Sequence, residues 1–366
     1  MAAALTDREL NRATLARQCL LARAELSTVD AVEALCGMQA QEPKPPFIGL
    51  WARLSGFQRT DLRAALLDRT VVRGTLMRGT LHLTSARDYA AFRATFQPTL
   101  SGALRALGDR AAGLDLDLLL PVARALLAGG PYTFSRLREA LQKEFPDVNE
   151  RALGYAVRMH LPLLMVPVPA QRWAFPADAE FTLAETWLGE APASGDAVET
   201  LALRYLAAFG PASVADMQAW SGLPTLKGVF ERLRDRLVVF RDERRRELFD
   251  LPDAPRPDAG VPAPPRFLPE FDNLVLAHKD RSRFVDDAHR GLVTTKNLRV
   301  RATFLWDGRV RGAWSVERKR GKAVLRLTPF EPLLPGAVDD LAPEGEALLR
   351  FIEEDADSFH VELVRL

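Results

Sequence analysis

Apolar positions along this chain fall into blocks of helical spacing, and the blocks are interrupted by similar signals. "LLLPVARALLA" (118–128) leads into "GPYTFSRLREAL" (130–141), and "AVETLALRYLAAF" (197–209) leads into "GPASVADMQAWSGL" (210–223). Both junctions read Gly-Pro, one residue, Ser or Thr, then an apolar residue, which places Thr133 and Ser213 as helix N-caps. Each junction is followed by a second helical pattern and then an extended one, "RALGYAVRMHLPLLMVPV" (151–168) and "LKGVFERLRDRLVVFRDERRRELFDL" (226–251). Helix, turn, helix, helix and hairpin is the order of a winged helix-turn-helix. Gly222 closes the short helix of the clearest copy, because a residue without Cβ enters the left-handed region freely.

A third, earlier copy follows from the same spacing. "TVDAVEALCGMQAQ" (28–41) aligns with "SVADMQAWSGLPTL" (213–226), pairing Thr28 with Ser213, Val32 with Met217, Leu35 with Trp220 and Gly37 with Gly222. The stretch "QAQ", Gln39 to Gln41, then lies just past a turn glycine, at the start of the next segment, where a DNA-binding unit projects side chains towards its target. Three tandem units are expected over 1–110, 111–190 and 191–252. The run "LPDAPRPDAGVPAPPRFLP" (251–269) reads as a Pro-rich linker. Beyond it, residues 298–329 alternate apolar and polar around Asp307-Gly308, a hairpin signal, with a helix over "EGEALLRFIEEDA" (344–356) and a last strand over "FHVELVRL" (359–366). The fold class expected is therefore α+β, with a β-rich, barrel-like unit over 253–366.

Composition narrows the function. Of 366 residues, 48% are hydrophobic, enough for a real core. Two cysteines, Cys19 and Cys36, have no metal-ligand or disulfide spacing, which points to a reducing compartment. No apolar run approaches the ~18 residues of a membrane span, and the N-terminus does not read as a secretory signal. A cytoplasmic protein is expected. Phosphate-binding Gly-rich loops, nucleophile elbows and zinc-protease motifs are missing, and the five histidines are scattered, so neither a cofactor nor a metal is expected. Net charge is only +1, but arginines cluster at "RDERRREL" (241–248) and "DGRVRGAW" (307–314). Arg244, Arg245, Arg246, Arg309 and Arg311 are thus candidate phosphate contacts, against the alternative of ordinary solvated charges.

The runs "MQAQEPKPPFIGLWARL" (38–54), "LMRGTLHLTSARDY" (76–89) and "LPEFDNLVLAHKDRSR" (268–283), in that order, resemble the AlkZ/YcaQ-like family of bacterial DNA glycosylases. The resemblance covers nearly the whole chain. It implies three winged-helix units in a C-shaped scaffold, a duplex DNA partner carrying alkylated bases, and excision of N7-alkylated purines. It also implies unhooking of interstrand crosslinks by some members, in repair or self-resistance. The family's catalytic motif is Gln-apolar-Gln or Gln-apolar-Asp, which assigns Gln39 and Gln41 here. A family hairpin engages DNA, and "TFLWDGRVRGAW" (303–314) is its candidate match. The chemistry is consistent: N7-alkylguanine is cationic and leaves readily, so two positioned amides can orient water and face a sugar cation without a general base.

Around the motif, Arg78, Thr80 and His82 alternate along "MRGTLHL" and would share one strand face lining the cavity, or else form a solvated wing. Asp272, His278, Asp280 and Arg281 either line the channel or form an ion-pair network holding the C-terminal unit. Lys44, between Pro43 and Pro45, shows no desolvating pocket in the sequence, so a monofunctional, monomeric enzyme without Schiff-base chemistry is expected. The alternative is a non-catalytic winged-helix DNA-binding protein such as a transcriptional regulator, which fold alone does not exclude.

Overall fold

A computed structural model describes residues 4–295, 297 and 299–364. Fourteen strands occur among them: β1 (Ala4–Leu5), β2 (Met38–Gln39), β3 (Val71–Thr75), β4 (Leu81–Ser85), β5 (Tyr132–Thr133), β6 (Leu163–Met165), β7 (Glu180–Leu183), β8 (Val238–Asp242), β9 (Glu247–Asp250), β10 (Arg266–Leu268), β11 (Thr303–Trp306), β12 (Arg309–Lys319), β13 (Lys322–Pro329) and β14 (Ser358–Leu363). They form three sheets, ordered β2-β4-β3-β6-β7-β5, β1-β8-β9 and β10-β11-β12-β13-β14. With the helices packed on them, the architecture is mixed α+β.

The helices begin where the sequence places caps. Helix α1 (Asp7–Arg17) starts with a Thr6/Glu9 capping box, and α2 (Thr28–Ala34) is capped by Ser27 rather than Thr28. After them come α3 (Pro45–Trp51), α4 (Arg59–Leu67), α5 (Ala86–Phe92), α6 (Gln97–Gly102) and α7 (Leu116–Ala128). Thr133 caps α8 (Phe134–Glu144), Asn149 caps α9 (Glu150–His160), and α10 (Ala184–Leu188) and α11 (Val198–Phe209) follow. Ser213 caps α12 (Val214–Ser221), which ends on Gly222 at φ 77° as its composition predicts, and α13 (Lys227–Arg232) leads to the β8–β9 hairpin. Both internal copies thus show the expected helix-to-hairpin order.

The first copy differs. Between α2 and α3 the chain makes the two-residue strand β2, antiparallel to β4, with Met38 opposite Leu83 and Gln39 opposite His82. The segment that follows the turn glycine is thus an edge strand of the six-stranded sheet, in which Gln39 lies, with Ala40 and Gln41 just beyond it. That sheet runs from residue 38 to residue 183, because β3 and β6 pair at Gly74 and Leu164. A Cβ at Gly74 would meet Tyr89 at 2.6 Å and the Leu163 carbonyl at 3.0 Å, so glycine is what lets the two strands approach.

Two further expectations change. The C-terminal sheet is open, with β10 and β14 as its edges, so it is not a barrel. The hairpin at Asp307-Gly308 is present, with φ of 50° and 75° as a two-residue primed turn requires. Helix α14 (Ala337–Ile352) packs on this sheet through Leu341, Leu348 and Ile352, and β14 runs parallel to β13. The Pro-rich segment is also not a free spacer. Arg8, Arg12 and Arg17 of α1 donate to the carbonyls of Ala259, Val261 and Pro255 at 2.7, 2.6 and 3.2 Å, strapping it across the helix.

Candidate active site

Strand β2 sits behind a turn built for close approach. Cys36 and Gly37 are both left-handed (φ 54° and 81°), and a Cβ on Gly37 would meet Thr84 at 2.9 Å. Asn273 locks this turn by donating to the Gly37 carbonyl at 2.6 Å. Arg73, buried in β3, holds the other side: its Nε donates to the Ala40 carbonyl at 2.8 Å and its Nη2 to the Gln41 carbonyl at 3.1 Å. The backbone carrying the two amides is therefore fixed from both flanks by residues that no motif in the sequence had singled out.

Both side-chain amides are half-buried and both are oriented. Arg78 Nη2 donates to Gln39 Oε1 at 2.7 Å, and the Leu81 backbone N–H donates to Gln41 Oε1 at 3.3 Å. Each oxygen thus has a donor already and each NH2 is left for another partner, which assigns the amide orientation through the network. A crevice of about 10 Å3 lies beside Gln39 between Pro45, Pro269 and Asn273, at the lower limit for one water. It shares Pro45, Pro269 and Glu270 with a cleft of about 470 Å3 also walled by Glu42, Lys44 and Trp314, which neither glutamine lines. A larger hollow of about 790 Å3 lies apart from these residues, between Asp68, Arg87 and Trp187.

Arg78 comes to Gln39 by an unexpected route. Residues 77–79 form a tight turn, not a strand, with Arg78 and Gly79 left-handed at φ 54° and 70°. The alternating face predicted for Arg78, Thr80 and His82 is corrected accordingly. A second Arg78 donor bonds the Trp220 carbonyl of α12. Burial, and then the charge of Arg281, lower the Arg78 pKa to about 10, so it stays protonated at neutral pH. Thr80 bonds the Met77 carbonyl at 3.1 Å and serves the turn. His82 is buried with Nδ1 3.0 Å from the Thr80 carbonyl, and burial, then Arg78, push its pKa down to about 3. It is neutral and offers no acid at neutral pH.

The third run divides between site and scaffold. Arg281 is half-buried, its charge acts on Arg78, burial and then Arg290 lower its own pKa, and among the described residues its side chain bonds Thr294 Oγ1 at 3.3 Å. The other three residues are structural. Asp272 forms a two-pronged pair with Arg53 at 2.8 and 2.9 Å, both side chains 1% exposed. His278 is buried against Phe209 and Phe284, with Nε2 3.0 Å from the Phe209 carbonyl; burial, then Arg283, lower its pKa. Asp280 pairs with Arg244, Arg246 and Arg290 at 2.7, 2.6 and 3.1 Å. Against burial, which would raise it, the Ser282 N–H and these arginines bring it to about 2.

The arginines proposed for DNA contact are largely committed. Arg244 and Arg246 are held by Asp280, leaving Arg245 exposed at the turn between β8 and β9. Arg309 pairs with Asp286, and Arg311 with Glu331 at 2.9 Å. The tip between β11 and β12 is docked on α1: Arg8 and Arg12 grip Asp307, and Gly308 lies against Arg12 and Asn11. Neither the tip nor its guanidiniums are free, because carboxylates and a helix far away in sequence have claimed them. Asp286, His289 and Glu331 bring ligand atoms within 4.8 Å of one another, but the same two arginines already supply counter-charge to both carboxylates. Lys44 departs from expectation as well. Its ammonium lies 5.7 Å from the Trp173 ring centre, and burial lowers its pKa.

No described helix is long and apolar enough to cross a membrane. Residues 32–351 match the family model described as DNA glycosylase AlkZ-like. A curated relative from Streptomyces sahachiroi, named an interstrand DNA cross-link repair glycosylase, is 27% identical over 335 residues, covering 86% of this chain and 88% of that protein. The solved structure of Streptomyces sahachiroi DNA glycosylase AlkZ superposes with a TM-score of 0.80 at 24% identity, covering 99% of this chain and all of that one.

Proposed function

This chain belongs to the AlkZ-like DNA glycosylases, and from that membership we propose that it is a monofunctional, monomeric enzyme hydrolysing the N-glycosidic bond of N7-alkylated guanine in duplex DNA, crosslinked adducts included. Because the family is one of enzymes, the non-catalytic regulator is set aside. Three winged-helix units remain the proposed description of its scaffold.

The observation that carries the reading is the pair of oriented amides, Gln39 on β2 and Gln41 two residues on, with Asp272 and Asp280 engaged elsewhere and Glu42 exposed to solvent. Asp272 is taken by Arg53 and Asp280 by three arginines. Gln39 and Gln41 keep one oxygen lone pair and an NH2 group each. They can hold a water and set its direction, but they do not deprotonate it. Such a site suits a base that is already cationic, since cleavage then neutralises the leaving group and demands little of the nucleophile. Developing positive charge on the sugar meets preorganised amide dipoles rather than a carboxylate. Space for the departing base is offered by the cleft on the far side of Pro45 and Pro269 from Gln39, which exceeds the size of a purine and is lined by Trp314, Glu42 and Glu270.

The crosslink activity named for the 27% identical relative is consistent with that room. The test is a base-release assay on duplexes bearing N7-methylguanine, a bulky N7 adduct or an N7–N7 crosslink. Free alkylguanine and an intact abasic strand are expected from the first two; from the crosslink, the first cleavage should separate the strands into one abasic strand and one bearing the tethered guanine, and the second should free the linked diguanine. Release of unmodified or neutral alkylated bases at equal rates, with N7-alkylguanine untouched, overturns the assignment.

A further inference from the structure

Arginine in this molecule is mostly neutralised: next to the site, Arg204, Arg244, Arg246 and Arg290 each meet a carboxylate. Three half-buried arginines connected to Gln39 do not: Arg78 bonds it, Arg158 braces the Arg78 turn, and the charge of Arg281 acts on Arg78. Arg78, Arg158 and Arg281 make no ion pair within 4.0 Å among the described residues. Burial lowers the pKa of all three, and for none does an acid side chain of Asp or Glu offset it. Instead each is held by neutral acceptors that fix its direction. Arg158 donates to Thr75 Oγ1 and the Gly79 carbonyl, both at 3.2 Å, which buttresses the Arg78 turn from α9. Arg78 takes Gln39 Oε1 and the Trp220 carbonyl, and Arg281 takes Thr294 Oγ1.

Their remaining N–H groups are not sealed inside. Arg53 Nε, Arg73 Nη1 and Arg93 Nε are buried without partners, whereas no nitrogen of Arg78, Arg158 or Arg281 is. Uncompensated, partly desolvated cations whose free donors reach solvent are costly unless an anion completes them. Left bare, they would also oppose the positive charge that develops on the sugar beside Gln39.

We infer that Arg78 and Arg281, with Arg158 behind them, bind a backbone phosphate flanking the damaged nucleotide, and that this phosphate completes the active site by neutralising the cations beside Gln39. A phosphodiester fits the donor set, since guanidinium groups bond phosphate oxygens with two parallel N–H groups. Arg78 spans both events, with one donor on Gln39 and others free for the phosphate. The inference rests on the placement of the reaction at Gln39 and Gln41, but not on which base is removed.

The experiment measures binding to a duplex with one tetrahydrofuran abasic analogue, which carries no base to excise. Single methylphosphonates, which are uncharged, are placed in turn at the phosphates around the analogue. For the parent protein, one or two flanking positions should weaken binding sharply. Arg281→Ala should weaken binding to the all-phosphate duplex, and flatten the slope of log K against log salt by about 0.9 for one lost contact. In that variant the sensitive methylphosphonate should cost little more. Arg281→Lys, which keeps the charge, should recover the slope and certify a folded protein. An unchanged slope in Arg281→Ala, or additive losses at every phosphate position, overturns the clamp. Failure to release N7-alkylguanine would overturn the substrate reading and leave this measurement standing.

Discussion

Asp272→Ala separates a structural acid from a catalytic one. Asp272 lies in the run that resembles the family and beside Asn273, which fixes the Gly37 turn, so the sequence admits either a channel-lining role or an ion pair holding the C-terminal unit. The structure shows an ion pair. Both its oxygens accept from Arg53, and Oδ1 also accepts the Leu274 N–H at 2.9 Å. Removing the carboxylate leaves the Arg53 guanidinium, 1% exposed, with the Gly49 carbonyl at 3.0 Å and the Gln18 amide oxygen at 3.4 Å as its remaining partners, and with Nε already unpartnered. Breaking one side of a buried pair costs about 3–5 kcal/mol. Asp272→Asn keeps an oxygen for the Leu274 N–H and should lose less. Urea denaturation followed by tryptophan fluorescence gives the stability, and single-turnover base release at a temperature where the variant is folded gives the chemistry. A large stability loss is expected, with a rate reduced less than by Gln39→Ala. Full stability with a collapsed rate would show that Asp272 acts on the reaction and that its pairing with Arg53 does not hold in solution.

Lys44 has the lowered pKa that amine catalysis needs, but its ammonium sits over Trp173 with Arg172 and Glu353 acting on its charge, so borohydride should trap no covalent adduct with DNA; an adduct lost in Lys44→Ala would refute the monofunctional reading. His82, with its pKa down at about 3, and His278, also depressed, stay neutral in the folded protein where the unfolded chain protonates near pH 6.5. The unfolded state then binds more protons below that pH, so stability should hold above about pH 6.5 and fall as pH drops towards 4, by up to about 1.4 kcal/mol per pH unit per histidine. Urea titrations at several pH values check the sign, and stability that rises on acidification contradicts it. Arg309 and Arg311 are paired with Asp286 and Glu331, so Arg309→Gln with Arg311→Gln should change the salt dependence of DNA binding less than Arg281→Ala alone; the reverse order would restore the hairpin as the principal contact.

What the sequence made legible is local. Ser213, Thr133 and Gly222 announce helix ends because capping and left-handed turns depend on a few adjacent residues. Asp307-Gly308 announces a hairpin for the same reason. The motif Gln39-Ala40-Gln41 was visible, but its secondary structure was not. A two-residue strand exists only by pairing with β4, more than forty residues on, and a short apolar-polar run carries no sign of that partner. Arg78, Thr80 and His82 alternate as strand residues do, yet Arg78 and Gly79 turn left-handed because Arg78 reaches α12 and Arg158 braces the turn from α9. An open sheet and a barrel share one alternation pattern, since closure depends on whether the edges β10 and β14 meet. Ion pairing was hidden most completely. Arg53 finds Asp272, and Arg244 finds Asp280, across separations that no spacing rule reads. For that reason Arg244, Arg246, Arg309 and Arg311, which looked available, meet carboxylates, while Arg78 and Arg281 do not among the described residues.

The proposed chemistry rests on the amides of Gln39 and Gln41, and the measurement that tests it most directly is single-turnover excision of N7-methylguanine by the double variant Gln39→Ala, Gln41→Ala. Parental circular dichroism and parental affinity for the tetrahydrofuran duplex would certify its fold and DNA binding. Loss of positioned polar groups from such a site predicts a fall of ~10² or more in the rate of the chemical step, with binding nearly intact. Base release by that folded, DNA-binding variant at the parental rate would contradict the claim, and would make "QAQ" an ordinary polar edge of a sheet.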